Sequence, residues 1–290
     1  MYITNRPEIA RIAEENGIDR IFVDMEFIGK DNRQGGLDTV QNHHTIQDIR
    51  NIKASVRKAK VLVRVNPIHK AMMESDGTMT YKDSEHEIEA AIDCGADIIM
   101  LPFFHTIDEV REFVHLVNLG NRKFNRSGNK RAKVCLLLET PEAAILIDEI
   151  LNIPGIDMIH IGLNDLHLAM GMKFMIQLLT DGIVEQLSKK IKAKGIPFGF
   201  GGIAGLHGGA LPGAYVLKEH YRQGSSMVIV GRSCCNTILI TNLDEIQEIF
   251  RNGIAEIRAL ETEAQAAVDY FDKSHNEVVK IVDKVVQERQ

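Results

Sequence analysis

The feature that most constrains this chain is a recurrence: short, β-branched, almost continuously apolar runs separated by amphipathic stretches. The runs are Arg20–Asp24, Lys60–Asn66, Asp97–Phe103, Lys133–Glu139, Asp157–Leu163, Pro197–Ile203 and Ser226–Gly231, and Met1–Thr4 supplies a short eighth. Unbroken rather than alternating apolarity is the pattern of parallel strands buried on both faces. Several intervening segments end in a small turn with glycine: ENGID, DCGAD, IPGID and AKGIP. Helices that stop at glycine and pass straight into a strand look like this. Strand–helix alternation repeated about eight times predicts an α/β fold with a parallel sheet.

Such a sheet either stays open or closes on itself. An open dinucleotide-binding sheet carries GxGxxG after its first strand, and nothing of that kind follows Asp24. Eight units in 290 residues, without a compositional break, predict one (β/α)₈ TIM barrel over 1–290. From Ile254 to Gln290 the chain reads as a long helical extension, with Ile257, Leu260, Ala264, Val268, Phe271, Val278, Val282 and Val285 on one stripe. The stripe is expected to pack on another subunit of a homo-oligomer, dimer to hexamer; the alternative is that it closes the bottom of its own barrel. Two connections are unusually long, 26–45 after the second strand and 67–84 after the third. Both fall on the face where strands end, and they predict covers over a site.

Charge and composition narrow the function. With 34 Lys and Arg against 40 Asp and Glu, the net charge is −6, the opposite of the basic excess that nucleic-acid binding requires. Cys94, Cys135, Cys234 and Cys235 show no CxxC spacing and read as reduced thiols. No apolar run approaches the ~20 residues of a membrane helix. Met1–Arg11 lacks the basic-then-apolar order of a secretory signal, so a soluble, cytoplasmic protein is expected.

In a barrel of this kind catalysis gathers where the strands end. Those ends carry Asp24 and Glu26, then Arg64 and Asn66, then Glu139, then Asn164 and Asp165. Two carboxylates at so apolar a rim are costly to desolvate and repel each other unless a cation lies between them. Ligation by one Glu, one Asp, water and substrate oxygens suits Mg²⁺ or Mn²⁺. The alternative is that both acids are helix caps or first-turn acids. The strand ends hold no lysine, which speaks against Schiff-base chemistry. His160 falls mid-strand and reads as packed core. The glycine-rich segment 199–209 matches no phosphate or dinucleotide loop; it reads as close packing or, with Arg232 and Ser233, as part of an anion site.

The stretch LLLETPEAAILIDEILNIPGIDMIHIGLNDLHLAMG, Leu136–Gly171, resembles the signature of the HpcH/HpaI aldolase and citrate-lyase-like family, the pyruvate-type class II aldolases. The likeness extends more weakly to PEIARIAEENGIDRIFVDMEF, VRVNP and AIDCGADIIMLPFF. The resemblance implies a metal-dependent carbon–carbon lyase that cleaves or forms a 2-keto acid through a pyruvate-like enolate. It implies a divalent cation, Mg²⁺ or Mn²⁺, on Glu139 and Asp165, and Arg64 on the substrate carboxylate and enolate oxygen. Gly162 and Asn164 would lie beside this small-molecule substrate. Two alternatives stay open: cleavage of a CoA thioester as in the citrate-lyase branch, and a non-catalytic metal-binding barrel serving as a binding or assembly subunit.

One position departs from the family pattern, D-x-E-H, whose histidine is a catalytic base. Here the residues are Asp24-Met25-Glu26-Phe27, while Asp93 matches the acid that orients that histidine. The expected replacement is His44, delivered by the first long connection, with Glu26 and His43 next in line. His69 and His86 flank the second connection, and His167 is a lesser candidate for holding a metal-bound water.

Overall fold

The computed structural model describes residues 1–30, 42–73, 79–203, 205–231, 235–237, 239–266 and 270–289. Eight parallel strands close into a barrel: β1 (Tyr2–Ile3), β2 (Arg20–Asp24), β3 (Lys60–Arg64), β4 (Ile98–Leu101), β5 (Lys133–Leu138), β6 (Met158–Ile161), β7 (Phe198–Ile203) and β8 (Met227–Val230). Each pairs with its neighbours in sequence, and Tyr2 opposite Val230 closes the ring. The described helices are α1 (Pro7–Glu15), α2 (Ile46–Ser55), α3 (Ser84–Asp93), α4 (Ile107–Lys123), α5 (Pro141–Ile145), α6 (Ile147–Ile150), α7 (Leu163–Ala169), α8 (Gln177–Thr180), α9 (Ile183–Ala193), α10 (Gly213–Gln223), α11 (Leu243–Ala266) and α12 (Tyr270–Glu288). The second long connection contains a small antiparallel ribbon, Met72–Met73 with Met79–Tyr81.

The two-residue period of a strand divides the core in two. Phe22, Leu62, Met100, Leu137 and Met158 point inward and pack together inside the barrel. Their neighbours Val23, Val63, Ile99, Leu136 and Ile159 face the helices in a larger outer cluster. β2 and β3 run in register from Arg20 opposite Lys60 to Asp24 opposite Arg64. The acid and the arginine at their ends therefore stand side by side, two residues beyond Phe22 and Leu62 and on the same inward face. Local signals fix where the helices start: Thr45 caps α2 and Thr106 caps α4, each in a reciprocal box with Asp48 and Glu109. Cys94, Cys135 and Cys235 are buried free thiols, and Cys234 lies outside the described residues.

The tail is two helices rather than the single long helix expected. They return to their own barrel, α11 against α1 and α10, and α12 against α10 and α8. Ile254, Ile257, Val278 and Val282 are buried in the chain's own core, while Val268 lies outside the described residues. His275 Nδ1 reaches the buried Glu219 carboxylate at 3.0 Å and ties α12 to α10. An apolar stripe is satisfied by whichever surface covers it, and here the barrel's own helices do so. Among the described residues no helix is long and apolar enough to cross a membrane.

Candidate active site

The ends of β2 and β3 carry a closed ion cluster. Asp24, fully buried, grips Arg64 at two points, Oδ1 on Nε and Oδ2 on Nη2, each 2.8 Å. Buried Glu26 lies 3.1 Å from Arg64 Nη1. Lys30 folds back from the loop after β2, itself buried, and sets Nζ 3.0 Å from Asp24 and 3.6 Å from Glu26. Burial pushes the Asp24 carboxyl up, but Arg64 and Lys30 outweigh it and hold it far below the usual carboxylate range. Burial likewise works against the charge on Arg64, and Asp24 and Glu26 more than reverse that.

The far end of the same loop also returns to Asp24. Asn42 donates to Oδ2 at 3.0 Å, and the His44 N–H donates to the Asp24 carbonyl at 3.3 Å. In exchange the Asp24 N–H donates to His44 Nδ1 at 2.9 Å. That bond decides what His44 can do. A ring nitrogen that accepts carries no proton, so the neutral imidazole keeps its proton on Nε2 and its lone pair is engaged. Burial lowers the His44 pKa against the pull of Asp24 and Asp48, which favours this neutral form. The expected general base is thereby corrected: His44 anchors the loop and is left with a donor.

The ends of β5 and β6 are built differently. Glu139 is buried and accepts the Phe103 N–H on Oε1 at 3.0 Å. Asp165 is buried in the first turn of α7, which starts after Gly162. A Cβ on Gly162 would lie 2.7 Å from Glu139 Cβ and 2.8 Å from its Oε2, so only glycine lets the two strands bring the carboxylate this close. Arg64, Glu139, Gly162, Asn164 and Asp165 line one cavity of ≈ 210 Å³, with His160 two residues deeper in β6. A larger cavity of ≈ 540 Å³, lined by Met1, Arg20 and His220 among others, opens around the start of β2. It lies at the barrel's opposite end, away from where this fold places its chemistry.

Across the mouth four buried acids, Asp24, Glu26, Glu139 and Asp165, stand against the half-buried Arg64 and the buried Lys30. The excess is two negative charges among the described residues. That donor set fits a hard divalent cation, which matches the excess and takes carboxylate oxygens with water and ligand oxygens. Among the described residues no cluster of three or more His, Cys, Asp or Glu is arranged to hold a metal. A cation here would rest on two protein carboxylates.

Other expected residues lie elsewhere. Asp93 ends α3, half exposed and 4.0 Å from Arg50 Nη2. A helix that follows a barrel strand runs back to the other end, so its last turn is carried away from the rim; among the described residues Asp93 pairs with Arg50, not with a group of the site. His43 is exposed. The His69 ring meets the Pro67 and Lys82 carbonyls and the Ser84 hydroxyl, tying its connection together. His86 pairs with Asp83 at the start of α3, and His167 Nδ1 bonds the carbonyls of Leu163 and Asn164 in its own helix. Arg232 and Ser233 lie outside the described residues. The glycine run supports close packing, since a Cβ on Gly199 would sit 2.1 Å from the Met227 carbonyl oxygen.

One group escaped the sequence reading. Lys30 stands in a loop, not at a strand end; the available signal was an acid pair, Asp24 and Glu26, facing a single arginine. His160, expected in the packed core, is fully buried there and also lines the cavity.

The family profile described as HpcH/HpaI aldolase/citrate lyase matches residues 2–178, more than half of the chain and every mouth residue named above. The chain belongs to the HpcH/HpaI aldolase/citrate lyase family. Among solved structures it is similar to a family protein from Burkholderia cenocepacia J2315, at 16% identity over 86% of this chain and 94% of that one, TM-score 0.59. An HpcH/HpaI aldolase from Desulfitobacterium hafniense DCB-2 follows at 19% identity, 85% and 92% coverage and TM-score 0.58. The citrate synthase SbnG gives 17%, 86% and 92%, and 0.56. At these identities the likenesses speak for the fold. No curated protein matches the chain by sequence.

Proposed function

We propose that this family member is a divalent-metal-dependent carbon–carbon lyase of the aldolase type, acting on a small 2-keto acid through a pyruvate-like enolate. The observation that carries the reading is the ≈ 210 Å³ cavity on which Arg64 and two buried carboxylates converge. Mg²⁺ or Mn²⁺ on Glu139 and Asp165 would supply Lewis-acid polarisation of the keto oxygen. Asp24 takes the Nε–H and one Nη2–H of Arg64, and Glu26 forms an ion pair with Nη1, so Nη2 keeps a second N–H for a ligand. Arg64 thus offers a fixed positive fork to the substrate carboxylate and to the oxygen on which enolate charge grows. Because its partners are in place beforehand, little reorganisation is needed as that charge develops. His44, with Nε2–H as its remaining donor, suits holding an oxygen rather than removing a proton.

The test is oxaloacetate decarboxylation with Mg²⁺ or Mn²⁺, a reaction that needs only the cation and Arg64, followed by pyruvate with a panel of aldehydes. We expect turnover that EDTA abolishes and either cation restores. Absence of turnover with every substrate and both cations, together with no metal binding by calorimetry, would sink the reading.

A further inference from the structure

Two arginines line the ≈ 540 Å³ cavity at the end of the barrel where the strands begin, and they are held in opposite ways. Arg258, on α11, is tied down. Its Nη1 donates to Glu261 at 2.8 Å, and its Nη2 donates to the Gly17 carbonyl at 3.0 Å and to Asp19 at 3.3 Å. Two carboxylates meet its charge, and its role is structural. Arg20 opens β2, two residues before the inward-facing Phe22 and on the same face. Among the described residues its one hydrogen bond goes to Met227 Sδ at 3.4 Å, and it makes no ion pair. A thioether is a weak acceptor, so a half-buried guanidinium with five N–H groups keeps most of its donors for other use. Its neighbour in the strand register is Lys60, a second cation, and like charges side by side repel.

The rest of the cavity offers a hydrocarbon wall. Val228 and Val230 point outward from β8, toward the face that helices cover in this fold, yet Val228 is only half-buried. Leu217 of α10 and Ile254 and Ile257 of α11 are buried around the same space. A guanidinium at one end and aliphatic side chains along the side match a molecule with an anionic head and an apolar body. The planar fork of an arginine grips a carboxylate in two places. Charge selects the head further. Arg20, Lys60 and Arg258 stand against Asp19 and Glu261, which leaves one positive charge over. One carboxylate balances it, whereas a phosphate dianion overshoots and meets repulsion from the two acids.

We propose that this cavity is a second binding site, for a monocarboxylate with a hydrocarbon tail, in which Arg20 holds the carboxylate and Leu217, Val228, Ile254 and Ile257 cover the tail. The site does not depend on the lyase reading, since β2 alone puts roughly 13 Å between Arg20 and Asp24.

The experiment is calorimetric titration of the full chain with octanoate, with 1-octanol and inorganic phosphate as comparisons. Wild type should bind octanoate at a single site, at least about tenfold more tightly than either comparison, the scale of a charge-assisted hydrogen bond. Arg20→Met should weaken octanoate by about the same factor, and Arg20→Lys, which keeps the charge without the fork, should fall between. Arg64→Lys, altered at the mouth, should bind octanoate within about twofold of wild type, as distant sites act independently. In wild type carrying ¹³C-methyl methionine, which needs no variant to fold, the Met227 methyl signal should move with octanoate and stay with phosphate. Octanol or phosphate binding as tightly as octanoate, octanoate binding that survives Arg20→Met or is lost in Arg64→Lys, or an unmoved Met227 signal overturns the proposal.

Discussion

On the β2–β3 side of the mouth, Asp24 and Glu26 meet Arg64 and Lys30 within 3.6 Å, and acids and cations are equal in number. On the β5–β6 side, Glu139 and Asp165 line the cavity, and Arg64 acts on Glu139 from across the mouth. The first side is a clamp whose charges are settled within the protein, and its product is one oriented guanidinium. The second side brings two buried carboxylates to the wall of the cavity. A rim can therefore divide its labour between strands, one pair fixing geometry and another receiving the ligand.

The largest expected effect tests the β5–β6 side. Glu139→Gln or Asp165→Asn removes a charge at nearly constant volume. Turnover should fall by at least ~10³-fold, the several-kcal/mol scale of a lost Lewis acid, and metal affinity should fall with it. Normal metal titration of either variant would erase the contrast between the two sides.

Next comes the clamp. Lys30→Met leaves Asp24 and Glu26 buried with Arg64 alone, and unfolding by urea should show a loss of about 3 kcal/mol. Lys30→Arg should recover part of it. An unchanged midpoint would mean that the charges are not balanced as described.

Acid titration sharpens the comparison by asking which side senses pH. Burial lowers His160 to about 4 and His220, stacked 3.8 Å on Phe200, to about 3. In the unfolded chain both titrate near 6.5, so between those values the unfolded state takes up protons that the folded state refuses. Their stability contribution is full above about pH 6.5 and declines as pH falls toward 4, by about 1.5 kcal/mol per histidine between pH 6.5 and 5. The Asp24 carboxyl should not contribute in that window, since it stays ionised far below it, whereas His44, whose pKa burial also lowers, adds to the slope. Unfolding at stepped pH should show a slope that His220→Phe flattens; a level profile over pH 5–6.5 would contradict the assignment.

The smallest effect belongs to His44. His44→Ala removes the bond from the Asp24 N–H and should lower stability by about 1 kcal/mol, with less than tenfold change in turnover. A loss of ~10²–10⁴ in rate with intact metal binding would return the base role to it.

Much of the barrel was legible in the order of residues. Apolar runs bounded by polar ends mark strands within a window of a few residues, and in a parallel barrel all strand ends share one face. Asp24, Arg64, Glu139 and Asp165 could therefore be placed on one rim without coordinates. Asp93 could not, because its place depends on the length and direction of α3, which carry it back toward the far end.

Local period and strand direction are properties of short segments, and by themselves they determined the eight-unit fold and which acids reach its mouth. Tertiary structure alone decided that Lys30 returns to Asp24, that the lone pair of His44 is taken by a backbone N–H, and that the tail closes on its own helices. It also decided that His160 faces inward. The strand MIHI is apolar on both sides of its histidine, so its alternation cannot say which face meets the barrel axis. Only the neighbouring strands, by pairing Leu137 with His160 and bringing Gly201 within reach of its ring, set the imidazole beneath the site.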